Sequence, residues 1–411
     1  VTSRVVESYR QQFLEQAACA SGQEPSWLSF LRREAFERFL DRGFPTTSEE
    51  DWRFTSVAPL ASMEFSLGAS PSLEEAASLL RSHLGNSWKR HEIVLVNGRY
   101  SPELSRLEGL PPDVVVSSLA RALENHTEEL HSVLTLAPPD GSTVFLDLNR
   151  AFLADGAFVR VPEGVVVEEP IHLVHLTTRA NAETRAASHP HHVVLVERAA
   201  ELRLVESYLG SGGSPYFTNT AIDLVAADGS SVDHYRIQRE GASAFHLGHE
   251  RLLQASQAAL KNHSISLGAR IARVDIASLL EGEGADLTLN GLYVVKGRQH
   301  VDHHTVIDHL KPRGTSRELY KGVLDDTSSG VFNGRIIVRP GAQKTNAQQT
   351  NKNLLLSDEA LVNTNPQLEI EADDVKCAHG ATIGQLDKDA LFYLRSRGIG
   401  REEARSILTR G

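Results

Sequence analysis

The sequence predicts a mainly β protein with helical regions at both ends, and three observations carry that prediction. From about Ser142 to Leu386, short apolar runs recur with Gly, Asp, Ser and Asn between them. No helical periodicity interrupts them for about 240 residues. Helical spacing is strong only before about residue 90 and after Asp387. Strands at this spacing build a sandwich, a barrel or a solenoid. No strict repeat occurs, yet a stacked, imperfect β-helix buries so many strands economically, and terminal helices can supply the caps it needs. The chain divides into a mostly helical region 1–140, a β core 141–386 and a helical tail 387–411.

The elements follow in order. Val5, Val6, Tyr9, Phe13 and Leu14 recur at helical spacing. A second helix is expected from Ser26 to Asp41, with Leu28, Leu31, Ala35 and Phe39 on one face and Gly43 and Pro45 as its stop. In GFPTTSEEDWRFT (43–55), Thr47 and Glu50 have capping-box spacing, and Trp52, Arg53 and Phe54 can anchor the segment to the core. A third helix is expected from Ser72 to His83. Ile93–Val96 with Asn97-Gly98 reads as a strand and turn, and 114–135 as helical. Pro138 to Gly141 reads as a boundary. Then come strands, from VFLDL (144–148) and FVRV (158–161) through VVVEEPIHLVHL (165–176) to GVFNGRIIVR (330–339) and NLLLS (353–357). In the tail, Asp387 can N-cap a helix that contains Leu391 and Leu394 and ends at Gly398. A second short helix follows Gly400, with Ala404, Ile407 and Leu408 as its apolar stripe.

Composition narrows the function. The net charge of −11 over 411 residues gives no broad positive field, so nucleic acid is not an expected partner. Two cysteines, Cys19 and Cys377, form no disulfide framework and suit a reducing cytosol. No apolar run is long enough to span a membrane and the first residues lack a secretory pattern, so a cytoplasmic protein without a membrane role is expected. Walker A, Gly-x-Ser-x-Gly, His-Glu-x-x-His and Gly-x-Gly-x-x-Gly patterns in their required contexts are absent from the sequence.

Two constellations remain. In LEIEADDVKCAHGATIGQL (368–386), Cys377 and His379 would share one face of a strand, with Cα atoms roughly 6.6 Å apart. Two ligands fall short of a closed four-ligand site, so a metal here would be shared with a second chain; the plainer reading is a buried, packed cysteine. In QHVDHHTVIDH (299–309), His300, Asp302 and His304 would share one face and His303 and His309 the other. His300 and His304 lie about 13 Å apart along a strand, too far to chelate one ion unaided.

Two long stretches carry a resemblance: HVDHHTVIDHLKPRGTSRELYKGVLDDTSSGVFNGRIIVRPGAQKTNAQQTNKNLLLS and PQLEIEADDVKCAHGATIGQLDKDALFYLRSRGIG. They closely resemble the core of the SufB/SufD family of iron–sulfur cluster assembly scaffolds, and GFPTTSEEDWRFT is similar to the SufD branch. The match covers about residues 140 to 411 strongly. Asn351 stands near the place where SufB carries a sulfur-accepting Cys, and Gly380 stands where SufB follows its His with Glu; both departures favour the SufD branch. The resemblance implies a right-handed parallel β-helix flanked by helical regions. It implies SufB and the ATPase SufC as partners, and a homodimer when the chain is isolated. It implies a transient iron–sulfur cluster or iron at the SufB interface, with His379 and Cys377 as this chain's ligands and no tightly bound cofactor of its own. Leu391, Leu394, Ile407 and Leu408 in the tail would dock SufC, and the chain would be a non-catalytic scaffold. A rival reading is a carbohydrate-active β-helix enzyme using carboxylate pairs; 6% aromatic residues, with Trp27, Trp52 and Trp88 all before the β region, weigh against it. A purely structural homodimer is the third.

Overall fold

The computed structural model describes residues 2–20, 24–68, 71–84, 89–137, 143–179 and 185–410. The boundary expected at Pro138–Gly141 lies outside the described residues. Its body is a parallel β-solenoid of about seven turns, with helices before and after it. Successive strands alternate between two sheets, so each coil contributes one strand to each. One sheet ends Phe245–Gln254, Ile271–Leu280, His300–His309, Ser329–Val338, Leu361–Ile370; the other ends Ala259–Ser266, Asp286–Val295, Thr315–Leu324, Asn346–Leu355, Lys376–Gln385. Every ladder in these runs is parallel and in register.

The repeat lies in the backbone. Ala199, Gly229, Gln257, Gly284, Arg313 and Lys344 each sit two residues before a strand of the second sheet, and each has φ between 55° and 73°. Each donates its N–H to a carbonyl of the next corner: Asp228, Ser256, Glu283, Pro312, Gln343 and Asp374. The left-handed conformation costs a side chain some energy, but here each corner gains a bond to the corner stacked on it. Because Ala, Gln, Arg and Lys fill this position as well as Gly, no residue type marks it.

Alternation along each strand buries every second side chain between the sheets. Leu260, Leu287, Ala347, Leu280 and Val338 are among the apolar members of this interior. It is not uniformly apolar. Glu206, His234, Arg236, Glu250, His303, Glu318, Tyr320 and Gln349 are buried in it as well. Inward glycines make room for the large ones: a Cβ on Gly291 would lie 2.0 Å from the Tyr320 ring. Gly291→Ala is therefore expected to destabilise the chain by about 1–3 kcal/mol through overpacking; unchanged thermal unfolding would show that Tyr320 can rotate aside.

The helices Thr2–Ala20 and Ser26–Arg42 pack over the outer face of the first sheet, through Tyr9, Phe39, Phe145, Phe217 and Phe245. The strand expected at 144–148 is instead part of a helix, Val144–Ala151. Thr143 caps it by accepting the Leu146 N–H at 3.2 Å, and Val144, Phe145, Leu148 and Ala151 fall on its buried side at helical spacing. The capping box expected at Thr47 and Glu50 is displaced by one residue. The Glu49 carboxylate accepts the Thr46 N–H at 2.8 Å, so the turn closes directly after Pro45. Trp52 is buried against Phe145, whereas Phe54 is exposed. Asn97 and Gly98 both have positive φ and form the expected turn, between His91–Val96 and Arg99–Tyr100. His91–Val96 joins the second sheet in parallel with Ile171–Thr177, and Val115–Ser118 joins the first in antiparallel. Residues before 141 thus also contribute to both sheets.

Candidate functional site

The last coil is open. Leu361–Ile370 and Lys376–Gln385 each carry ten residues, and among the described residues no strand pairs with the outer edge of either. The opposite end is finished differently, by the short antiparallel strands Arg99–Tyr100 and Val115–Ser118. An uncovered pair of edges offers unpaired N–H and C=O groups to another chain.

Cys377 and His379 project into the mouth of the interior at this open end. Cys377 stands in register on Ala347, and His379 on Gln349, both of which point inward and are buried. Lys376 and Ala378 alternate to the outside, so Lys376 does not assist the thiol. His379 is exposed and Cys377 half-buried. Burial pushes the Cys377 thiol above its ordinary range, against a lowering contact from the Ala347 backbone. The thiol is thus protonated at neutral pH. One imidazole and one thiol at alternate positions of an open edge carry the donor atoms that a soft or borderline metal takes, two of the four that a closed site needs. Asn351, one column further in, is fully buried; its amide reaches the Tyr293 hydroxyl and the Tyr320 carbonyl, each at 3.4 Å.

The histidines of 300–309 do a different job. Asp302 is buried, pairs with Arg273 at 2.9 Å and His304 at 3.1 Å, and accepts the Thr55 hydroxyl at 2.6 Å. His300 bonds Thr55 and Ser329. These outward residues fasten the N-terminal segment to the sheet, while His303 and His309 face inward.

A group that sequence spacing could not reveal is His175, His192 and Glu206, whose ligand atoms lie within 4.8 Å of one another inside the solenoid. It comes from three strands on two sheets. It suits a metal poorly. The Ala157 N–H donates to His192 Nδ1 at 2.9 Å, so the neutral ring carries its proton on Nε2, where a ligand lone pair is needed. Glu206 already accepts from His234 at 2.8 Å and from the Tyr208 hydroxyl. Burial lowers His192 to about 4, keeping the ring neutral.

In the tail, Asp387 caps Lys388–Ser396 by accepting from the Asp389 and Ala390 N–H groups. Arg401–Arg410 follows. Leu391, Leu394 and Leu408 are half-buried and Ile407 is 44% exposed. The most exposed apolar side chains are neighbours that helical periodicity passed over, Phe392 at 74% and Tyr393 at 57%. Arg405 ties the pair of helices to the solenoid, donating to the Leu356 carbonyl at 3.0 Å and pairing with Asp325 at 3.6 Å.

Residues 177–411 match the family model described as SUF system FeS cluster assembly, SufBD core domain, and residues 3–173 match the SufBD protein N-terminal region. The chain belongs to the SufBD family. An iron–sulfur cluster assembly SufBD family protein of Synechocystis is 34% identical over 97% of this chain and 88% of its own length. The iron–sulfur cluster assembly protein SufD of Escherichia coli is 32% identical over 92% of this chain and 85% of its own. A chloroplastic protein of Arabidopsis thaliana, ABCI7, is 30% identical over 96% and 83%. This SufBD chain is thus SufD-like over most of its length, and its open end lies within the core region that defines the family. No helix among the described residues is long and apolar enough to cross a membrane.

Proposed function

We propose that this chain is a non-catalytic scaffold subunit of a cytoplasmic iron–sulfur assembly complex. It pairs its open coil with SufB and docks SufC on its C-terminal helices. The observation that carries the reading is the coincidence of two unprotected ten-residue edges with Cys377 and His379 at their mouth. Edge-to-edge pairing with a second solenoid would cover both strands and bring further ligands to the same point, completing the half-set. Iron or a nascent cluster is then the cargo, held by His379 and Cys377 from this side. The isolated chain would satisfy the same edges by pairing with a second copy.

Helices Lys388–Ser396 and Arg401–Arg410 are the element on which ATP-driven movement of SufC would act, since Arg405 links them to the corner at Leu356. The test is anaerobic reconstitution of the chain with SufB and SufC, comparing wild type with His379→Ala. The complex should assemble normally on gel filtration, while its iron content and cluster absorbance fall by about tenfold or more. A full cluster formed at the wild-type rate would reduce His379 to a structural residue.

A further inference from the structure

Beneath His379 the interior column continues Gln349, Glu318, Leu289 and Asn262. The Gln349 amide donates to Glu318 Oε2 at 2.7 Å, while its own carbonyl oxygen is buried without a partner. Gly334 makes space for this side chain, since a Cβ there would stand 2.2 Å from the Gln349 amide nitrogen. An unsatisfied buried carbonyl costs free energy and calls for a donor. The nearest inward side chain on the open side is His379, one strand spacing of about 4.8 Å away. A histidine that binds metal through one ring nitrogen needs an acceptor for the N–H on the other. Gln349 offers one, and Glu318 polarises it from below.

We propose that Gln349 and Glu318 are positioning residues for cation capture at the open end: Gln349 orients His379, and Glu318 gives up its proton as the cation docks and becomes its buried counter-charge. The inference rests on the reading of Cys377 and His379 as ligands. For zinc the balance is simple. The Cys377 S–H bond breaks as the sulfur–metal bond forms and one proton leaves. The Glu318 carboxyl loses a second proton to solvent in the fraction of molecules where it is still protonated.

Burial raises Glu318 to about 7, with Gln349 and the facing Thr305 hydroxyl favouring its charge. The Thr305 hydroxyl does not complete a hydrogen bond to it. Tyr320 shares its strand and feels its charge, and around that ring lie His303 on the facing sheet and Tyr293, Arg236 and Glu250 deeper in the interior. Burial keeps His303 neutral at about 3. Arg236 is engaged by His246 and Glu250. Burial raises Glu250 as well, but it lies deeper, beside His234 and Arg236; Glu318 is the carboxyl of this set that stacks beneath Gln349 and His379. A positive charge about 10 Å away, two strand spacings, favours the ionised form.

The test uses the full chain with Zn²⁺ alone as a redox-silent probe. Affinity and protons released per zinc are measured between pH 6 and 8 for wild type, Glu318→Gln and Gln349→Leu. Wild type should bind more tightly than Glu318→Gln, with the gap widening to about tenfold as pH rises through 7. Near pH 7, Glu318→Gln should release a few tenths of a proton fewer per zinc. Gln349→Leu should lose affinity at every pH. Equal proton counts and a pH-independent gap would overturn the role of Glu318 while leaving the ligand pair intact. Wild-type affinity that survives Cys377→Ala and His379→Ala together would instead overturn the ligand reading itself, and this inference with it.

Discussion

Leu391→Asp combined with Leu394→Asp is expected to abolish capture of SufC by this chain while leaving its contact with SufB intact. The two leucines are half-buried on the first of two C-terminal helices that touch each other, so two carboxylates there must either stay protonated or disturb the packing. Loss of binding by unfolding of the pair is distinguishable from loss of a docking surface. Phe392 and Tyr393 are 74% and 57% exposed, so Phe392→Ala with Tyr393→Ala removes apolar contact area without disturbing the packing beneath. If both double variants fail to capture SufC in a pull-down, the exposed face is the docking surface. If only the Asp variant fails, the helical pair is needed as a folded unit but its exposed ring face is not. Retained capture by the Asp variant would remove the tail from the proposed interface.

Asp302→Ala is expected to cost about 3 kcal/mol, lowering the melting temperature by roughly 3–4 °C in a chain of this size. The carboxylate is buried and holds three elements together: Arg273 in its own sheet, His304 two residues on, and Thr55 in the N-terminal segment. Its removal leaves a buried guanidinium with Asp275 as its remaining carboxylate partner and a hydroxyl with no carboxylate to donate to. Burial opposes the charge on Asp302, but His304 and Arg273 outweigh it and hold its pKa far below the ordinary 3.8. A depressed folded value means its stabilisation is complete above the unfolded value and is lost as pH falls below it. The difference between wild type and Asp302→Ala should therefore be full at pH 7 and shrink as pH drops below about 4. Thermal unfolding across that range, with hydrogen exchange at 50–55, checks both the energy and the release of the N-terminal segment. A constant gap down to pH 2 would place the stabilisation in packing and not in charge.

The fold was legible where one physical rule acted alone. RIARVDIASLL and ADLTLNGLYVV alternate over much of their length, and both are strands as read. VFLDL was misread because five residues rich in apolar side chains fit a buried strand and a buried helix equally, and the deciding contact, Thr143 on the Leu146 N–H, lies outside the run. The corner repeat was hidden because a hydrogen bond to the next corner supports the left-handed backbone whatever the side chain. Of the open end, the shared face of Cys377 and His379 followed from period 2 alone. Gln349 and Glu318 did not, because they lie 30 and 61 residues upstream and meet His379 only through parallel stacking. Alternation likewise separated His303 and His309 from His300, and they do face the interior.

The two ends of the solenoid differ in a way that sets how far association can go. At one end the sheets stop in two-residue and four-residue antiparallel strands; at the other they stop in two bare ten-residue edges. A stack of identical solenoids would need both ends to accept a neighbour, as in a fibril. If the open edges pair as proposed, one encounter consumes, on each participant, the surface from which a stack would grow. Such pairing would terminate polymerisation after the first step and fix the count at two solenoids by geometry, without any need for a separate capping factor.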